Sequence, residues 1–133
     1  MDPAIVDRTF GPVGPFVVTA GKAAEFAAAT QWRGAGIAPT FPILLLNDAM
    51  LAFLADVGAS LERIVHGEQR FAYRRPLAIG DELSASLRVA SLRALGGAEI
   101  IGTVSTITDA DGEVVCEARA TLVHSGTSEE GAA

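Results

Sequence analysis

The sequence predicts a single α+β domain in which a curved antiparallel sheet surrounds one long helix. The first observation behind this prediction is an apolar run over residues 40–57, which as a helix would extend roughly 25 Å at the standard rise. The second is a change of hydrophobic period after Gly58, where apolar and polar residues begin to alternate as they do in strands. A helix that is apolar on every side has to be covered, and a sheet of about five strands provides that cover.

The composition argues against several classes of function. The chain has 133 residues, half of them hydrophobic, which is enough for one domain with a substantial core. The net charge of −6 and the lack of a Lys/Arg cluster argue against nucleic acid as a partner. The N-terminus lacks the basic and apolar regions of an export signal, so we expect a cytoplasmic protein. Acidic and amide residues in the middle of the apolar run argue against a membrane span.

Metal and disulfide chemistry are not expected. The single cysteine, Cys116, falls in a predicted strand and is interpreted as a small core residue in a reducing compartment. The two histidines, His66 and His124, are far apart in the sequence and do not form a ligand set with one cysteine. We expect His124, near the end of the last strand, at the surface.

The N-terminal half is predicted to hold an arm, a short strand and two helices. Three prolines and two glycines in the first fifteen residues predict an irregular arm, flexible over 1–13, followed by a strand at 16–18. Thr19 is expected to cap a helix that ends near Thr30. Thr40 is expected to cap the central helix, with Pro42 in its first turn and Gly58 at its end.

The C-terminal half is predicted to be all strand. Strands are expected at 64–74, 83–90, 99–108 and 114–124, because these segments alternate or are rich in β-branched residues. Gly96-Gly97 and residues 109–112 have the chemistry of tight turns. Consecutive hairpins predict an antiparallel meander, and the small, acidic tail at 125–133 is expected to be frayed.

One segment also resembles a known family. Residues 66–81, HGEQRFAYRRPLAIGD, resemble the H-G-x-Q-x-F-x-Y-x-R-P-L-x-x-G-D signature of the N-terminal domain of MaoC-like dehydratases. Residues 26–30 (FAAAT) and 38–42 (APTFP) resemble further family segments. The resemblance implies a hot-dog fold and action on (3R)-hydroxyacyl thioesters or, in reverse, hydration of enoyl thioesters. It implies no cofactor beyond the coenzyme A or carrier-protein phosphopantetheine that carries the substrate.

The catalytic pair of that family is missing from its expected positions. Active members follow Phe-Ala-x-Ala-Thr-Gly with Asp-x-Asn-Pro-x-His, and the Asp and His positions are Trp32 and Ile37 in this sequence. Neither side chain can transfer a proton. The resemblance therefore implies a non-catalytic, acyl-binding subunit that is active only in a complex. Its partner would be a second hot-dog subunit, either a catalytic homologue or a second copy of the same chain.

The resemblance also implies a set of substrate-binding residues, for which a structural reading stays open. His66 is placed beside the thioester or pantetheine, or is a structural histidine at a strand start. Gln69 donates to a thioester carbonyl, or faces solvent. Arg74 and Arg75 bind phosphate, or pair with carboxylates of the sheet. The whole set is Phe41, His66, Gly67, Gln69, Phe71 and Tyr73.

Two further functions remain open on the sequence. Asp48 lies midway along the apolar run, where a carboxylate is costly unless it is paired or functional, so a thioesterase with Asp48 as its acidic residue is one rival. The structural alternative is that Asp48 faces a dimer interface or accepts N–H bonds from a neighbouring loop. A self-sufficient hydratase that uses His66 belongs to the same rival class. The second rival is a module that binds an acyl thioester without chemistry.

Overall fold

A computed structural model describes residues 2–125 of the chain. Single turns of 3-10 helix at Pro3–Ile5 and Leu61–Arg63 accompany two α-helices and five strands. In chain order the main elements are β1 (Thr9–Val17), α1 (Ala20–Thr30), α2 (Ile43–Val57), β2 (Ile64–Tyr73), β3 (Glu82–Leu95), β4 (Ala98–Thr108) and β5 (Val114–Ser125).

The five strands form one antiparallel sheet in the order β1-β3-β4-β5-β2. The hairpins β3–β4 and β4–β5 are the predicted ones, and Gly96 and Gly97 take the positive φ values that the first turn requires. The prediction of one continuous meander is wrong for β2. That strand pairs with β5 at the far edge instead of with β3, its successor in the chain.

The link between β2 and β3 explains this difference. It has to cross the ends of β5 and β4, about three strand spacings or roughly 14 Å, which a tight turn cannot do. Arg75 holds the crossing in place. Its guanidinium donates to both carboxylate oxygens of Asp81 (2.9 and 3.1 Å) and to Asp109 in the β4–β5 turn (3.4 Å). The structural reading of Arg75 is therefore correct, and Asp81 is an ion-pair partner as well as a turn residue.

The central helix α2 has one covered face and one open face. Its six buried residues face the concave side of the sheet: Leu45, Leu46, Ala49, Met50, Phe53 and Leu54. The prediction that α2 is buried all round is wrong for the single chain, because one sheet covers only one side of a helix. Leu44 and Leu51, each 38% exposed, lie on the open face.

The C-terminal end of α2 agrees with the sequence prediction, whereas its N-terminal start does not. The end is as expected, since Gly58 adopts the left-handed conformation and its N–H bonds back to Ala55. The start is not, because the helix begins at Ile43 after Pro42, and no side chain caps it. Thr40 belongs instead to a preceding turn in which its carbonyl accepts from the N–H of Ile43.

The N-terminal segment is more regular than the sequence predicts. Instead of an irregular arm and a strand at 16–18, the structure has the nine-residue edge strand β1, paired with β3 through irregular steps. An edge strand tolerates Pro12 and Pro15 because one side of it needs no N–H donors. Of the predicted frayed tail, Ser125 ends β5 and residues 126–133 lie outside the described part of the chain.

Several local predictions are confirmed. Helix α1 starts after Thr19, whose hydroxyl accepts from the N–H of Lys22 at 3.1 Å. Cys116 is a free, fully buried core residue. His124 is not at the surface as expected, because it is buried with Nδ1 3.1 Å from Oε1 of Glu99.

The Arg75–Asp81 pair predicts a pH-dependent stability. The hydrogen bond from Arg75 holds the pKa of Asp81 below its ordinary value of 3.8. Because this pKa is lower in the folded chain than in the unfolded chain, the ionised carboxyl stabilises the fold at pH values above 3.8. The stabilisation is lost as the pH falls through the folded-state pKa. Arg75→Met should therefore cost about 1 kcal/mol of unfolding free energy at neutral pH, a value reduced for partial exposure, and progressively less as the pH falls below 3.8.

Chemical denaturation of both proteins at a series of pH values measures this difference. Arg93→Met is the matched control, because Arg93 is exposed on β3 and makes no ion pair within residues 2–125. An Arg75→Met deficit that stays constant down to the acid limit would contradict the assignment.

Candidate functional site

A cavity of about 680 Å³ opens between the concave face of the sheet and the helices α1 and α2. This volume is in the usual range of small-molecule sites. Its walls are mainly apolar, with α1, α2, β2 and β3 all contributing. The principal apolar side chains are Phe26, Ile43, Leu46, Met50, Phe71 and Leu87.

Polar groups enter the cavity at two places. At the β2 edge, the lining residues are His66, Gly67, Glu68 and Gln69. Beneath the helices, the hydroxyls of Thr103 and Ser105 lie in the sheet floor, opposite Asn47 and two threonines on the helical side. The titratable side chains that line the cavity within residues 2–125 are therefore His66 and Glu68, both exposed at the edge.

Gln69 holds the His66 ring in place. The side-chain amide of Gln69 donates to the carbonyls of Arg119 (3.3 Å) and Arg70 (3.5 Å), so its oxygen faces Nε2 of His66 at 3.3 Å. That oxygen can only accept, so this contact is a hydrogen bond in the tautomer that carries its hydrogen on Nε2 and leaves Nδ1 as an acceptor. Gln69 is therefore partly buried, and its amide nitrogen is directed at backbone carbonyls in this structure.

Two of the six predicted substrate-binding residues lie outside the cavity. Phe41 is 1% exposed and packs its ring edge-on against Phe16 and Phe26, so it is a core residue. The Tyr73 hydroxyl donates to the carbonyl of Pro39 and ties β2 to the loop before α2. Burial raises the pKa of this hydroxyl, which remains protonated. The other four predicted residues, His66, Gly67, Gln69 and Phe71, do line the cavity.

The segment that carries the catalytic pair in active relatives has a structural role here. The indole of Trp32 folds back over Gly34 and donates through Nε1 to the carbonyl of Gly36 at 3.2 Å. A Cβ atom at Gly34 would overlap the indole ring, so any other residue there requires the indole to move. Ile37 is half-buried and packs on the core. Both positions are therefore occupied by packing residues without acid or base chemistry.

Asp48 is not the buried carboxylate that the sequence predicts. It lies on the open face of α2 and is exposed to solvent. Its neighbour Asn47 lines the cavity, whereas Asp48 does not. The physical reason is again that the sheet covers only one side of the helix, so a carboxylate on the other side carries no burial cost in the single chain.

Sequence reasoning missed the hydroxyls in the floor. One face of β4 carries, in order, Ile101, Thr103, Ser105 and Ile107, and all four are buried. Small polar residues at consecutive inward positions of an otherwise apolar strand were the available signal. Their meaning depends on the cavity above them, which only the packing of α2 creates.

Residues 2–125 contain neither a metal-binding cluster nor a membrane-spanning helix. In that range the structure contains no cluster of three His, Cys, Asp or Glu residues that could hold a metal ion. The helices of the same range are too short or too polar to cross a membrane.

Solved structures define the class of this protein as a hot-dog fold. The HadBC (3R-hydroxyacyl-ACP dehydratase) complex from Mycobacterium tuberculosis superposes with a TM-score of 0.76 at 28% identity, over 92% of this chain and 98% of that chain. A MaoC-like dehydratase gives 0.70 at 25% identity, over 93% of this chain and 43% of that chain. The (R)-hydratase from A. caviae, with 0.65 at 18% identity, over 91% of this chain and 96% of that chain, supports the fold alone.

Sequence relatives then identify the family. A family model described as "FAS1-like, dehydratase domain region" matches residues 17–118. A UPF0336 protein of Leifsonia xyli subsp. xyli is 37% identical over 144 residues, spanning 95% of this chain and 97% of the relative. Another, of Saccharopolyspora erythraea, is 33% identical over 148 residues, spanning 98% and 95%. The chain belongs to the MaoC-like dehydratase family, as the sequence signature indicated.

The Trp32 packing can be tested with one substitution. Gly34→Ala places a methyl group where the indole lies, so it should expose the ring and cost about 1 kcal/mol of unfolding free energy. Trp32 is the only tryptophan in the chain, and its emission maximum should therefore shift to longer wavelength.

Gly21→Ala is the matched control, because a Cβ at this exposed position of α1 meets no atom within 4 Å. Alanine is the better helix former, so this variant should be as stable as the parent or slightly more so. Identical emission and melting of the Gly34→Ala variant and the parent would show that the loop is not built around the indole.

Proposed function

We propose that this chain is the acyl-binding subunit of a (3R)-hydroxyacyl-thioester dehydratase, which in reverse is an enoyl-thioester hydratase. A partner hot-dog subunit supplies the catalytic Asp and His. The substrate is carried on coenzyme A or on the phosphopantetheine of a carrier protein, and no further cofactor takes part. The observation that carries the proposal is a large apolar cavity beside a segment in which Trp32 and Ile37 replace the proton-transferring pair.

The chemistry of dehydration explains why a partner is needed. Elimination of water removes a proton from the α-carbon and delivers one to the departing 3-hydroxyl, so an acid and a base must lie within hydrogen-bond reach of the substrate. Among the described residues 2–125, only the β2 edge offers titratable groups along the cavity, at His66 and Glu68. The apolar walls can hold an acyl chain and keep water away from it. Binding belongs to this chain, and proton transfer to its partner.

The open surfaces of the chain favour a second hot-dog subunit as that partner. β2 ends the sheet, so one side of it presents unpaired backbone groups that another strand can bind. Val65 on this strand is 62% exposed, and Leu44 and Leu51 are exposed on the outer face of α2. The solved HadBC structure is described as a complex, which supports a two-subunit arrangement. A pair of identical chains is the alternative.

One observation favours a rival function. The His66 ring is held with Nδ1 as an acceptor at the mouth of the cavity, which is the arrangement of a general base. A self-sufficient hydratase that uses His66 is therefore the second candidate. The thioesterase with Asp48 has no comparable support, since Asp48 lies outside the cavity. A binding module without chemistry would use the same cavity.

Reconstitution tests the proposed division of labour. The chain purified alone should show no hydration of a short trans-enoyl-CoA above the buffer rate, because Trp32 and Ile37 occupy the positions of the family's Asp and His. The complex that co-purifies from the native host should be active, and its activity should be lost when the partner's Asp or His is replaced. Turnover by the chain alone, as a pair of identical subunits, would overturn the two-subunit proposal.

Two single substitutions separate the rival enzymes. In the active complex, His66→Ala should lower kcat less than about tenfold, whereas a general base would cost a factor of 10²–10⁴. Asp48→Asn should leave any acyl-CoA hydrolysis by the same preparation unchanged. A loss of hydration above a hundredfold with His66→Ala would identify this histidine as the base and refute the acyl-binding role as the whole function.

A further inference from the structure

The floor of the cavity contains two hydroxyls that form no hydrogen bond to another protein group within residues 2–125. Thr103 and Ser105 lie two residues apart on β4, so both side chains point to the same, concave face. They are only 4% and 5% exposed, and both line the cavity. Within residues 2–125, neither side chain forms a hydrogen bond to another protein group. Both side chains are therefore available to a ligand in the cavity without breaking a hydrogen bond within residues 2–125.

Such hydroxyls become costly when a ligand displaces the solvent of the cavity without replacing its hydrogen bonds. A buried hydroxyl without a partner costs about 1–3 kcal/mol. The strand itself does not need these residues, because Ile101 and Ile107 occupy the same face and are fully buried. Across the ladder, Thr103 pairs with Ala120 and Ser105 with Ala118, and these short side chains leave the hydroxyls uncovered.

The position of the pair indicates which part of a ligand it meets. Thr103 lies in register with Ala120, and Ala120 with Gln69 on β2, so the pair is two strand spacings, about 10 Å, inward from the β2 edge. On the proposed function, on which this step rests, the thioester lies at that edge beside His66. The hydroxyls then meet the acyl chain well beyond the carbons that react.

We propose that the cavity selects acyl thioesters whose chain carries an oxygen, as a hydroxyl or a keto group, at a mid-chain carbon. The hydroxyls of Thr103 and Ser105 bind that oxygen. Each can donate or accept, so both kinds of oxygen fit. A plain alkyl chain of the same length displaces water from the floor and leaves both hydroxyls unpaired, and a site built this way discriminates strongly against the ligand that lacks the polar group.

Binding to the complex purified from the native host tests the proposal. The probes are decanoyl-CoA and a set of decanoyl-CoAs that carry one hydroxyl or one keto group at successive carbons beyond the third. All are saturated at the reacting carbons, so calorimetry measures binding alone. We expect at least one oxygenated probe to bind about 5–20-fold more tightly than decanoyl-CoA, the ratio that one or two hydrogen bonds supply.

Variants locate the effect. Ser105→Ala and Thr103→Val each remove one hydroxyl with little change of shape, so each should lower the ratio of the two affinities, and the double variant should bring it to within about twofold. Thr106→Val is the matched control, since Thr106 is the neighbouring hydroxyl on the opposite face of β4 and should keep the parent ratio. The melting temperatures of the unliganded Ser105→Ala and Thr103→Val proteins should equal or exceed that of the parent, because no protein hydrogen bond is lost.

The possible failures are distinguishable. If decanoyl-CoA binds and every oxygenated probe binds equally or more weakly, the selectivity is refuted and the proposed function stands. If none of the acyl thioesters binds, both are refuted. A fall in melting temperature of several degrees in Ser105→Ala or Thr103→Val, with Thr106→Val unaffected, would show that the hydroxyls serve the fold and would also refute the selectivity.

Discussion

The burial of one face of α2 against the concave side of the sheet is the interaction on which the rest of the structure depends. The buried residues of this helix contribute to both halves of the core, with Leu45 in one and Phe53 in the other. Each large side chain of this kind stabilises the fold by about 1.5–3 kcal/mol when fully buried. The same arrangement leaves the opposite face of α2 open and holds the helix above the floor of β4 and β5, where the cavity forms.

The cavity and the loop before α2 together explain how a member of a lyase family can lack its proton-transferring pair. The family motif that the sequence resembles carries an Asp and a His in this loop. Here the Trp32 indole packs over Gly34, and Ile37 packs on the core. The proposed function accordingly assigns acyl binding to the cavity of this chain and proton transfer to a partner subunit.

The family signature combines structural and site residues, and the sequence does not separate them. Arg75 pins the crossing from β2 to β3, and Tyr73 ties β2 to the loop at Pro39. Gln69 orients His66 through backbone carbonyls of two strands. A signature is thus typical of a fold together with a site, and the role of each position follows only from the groups that it contacts.

Both helices, the strands β2 to β5 and the β3–β4 turn follow from the sequence to within a few residues, because they depend on local chemistry. Thr19 caps α1, Gly58 ends α2 and Gly96-Gly97 turn β3 into β4, each through the conformation of a few adjacent residues. Long-range pairing decided the rest: which edge β2 occupies, which side of α2 is covered, and where Asp48 lies. Long-range packing also decides the environment of the Thr103 and Ser105 hydroxyls, because the cavity above them exists only when the helix and the sheet enclose it.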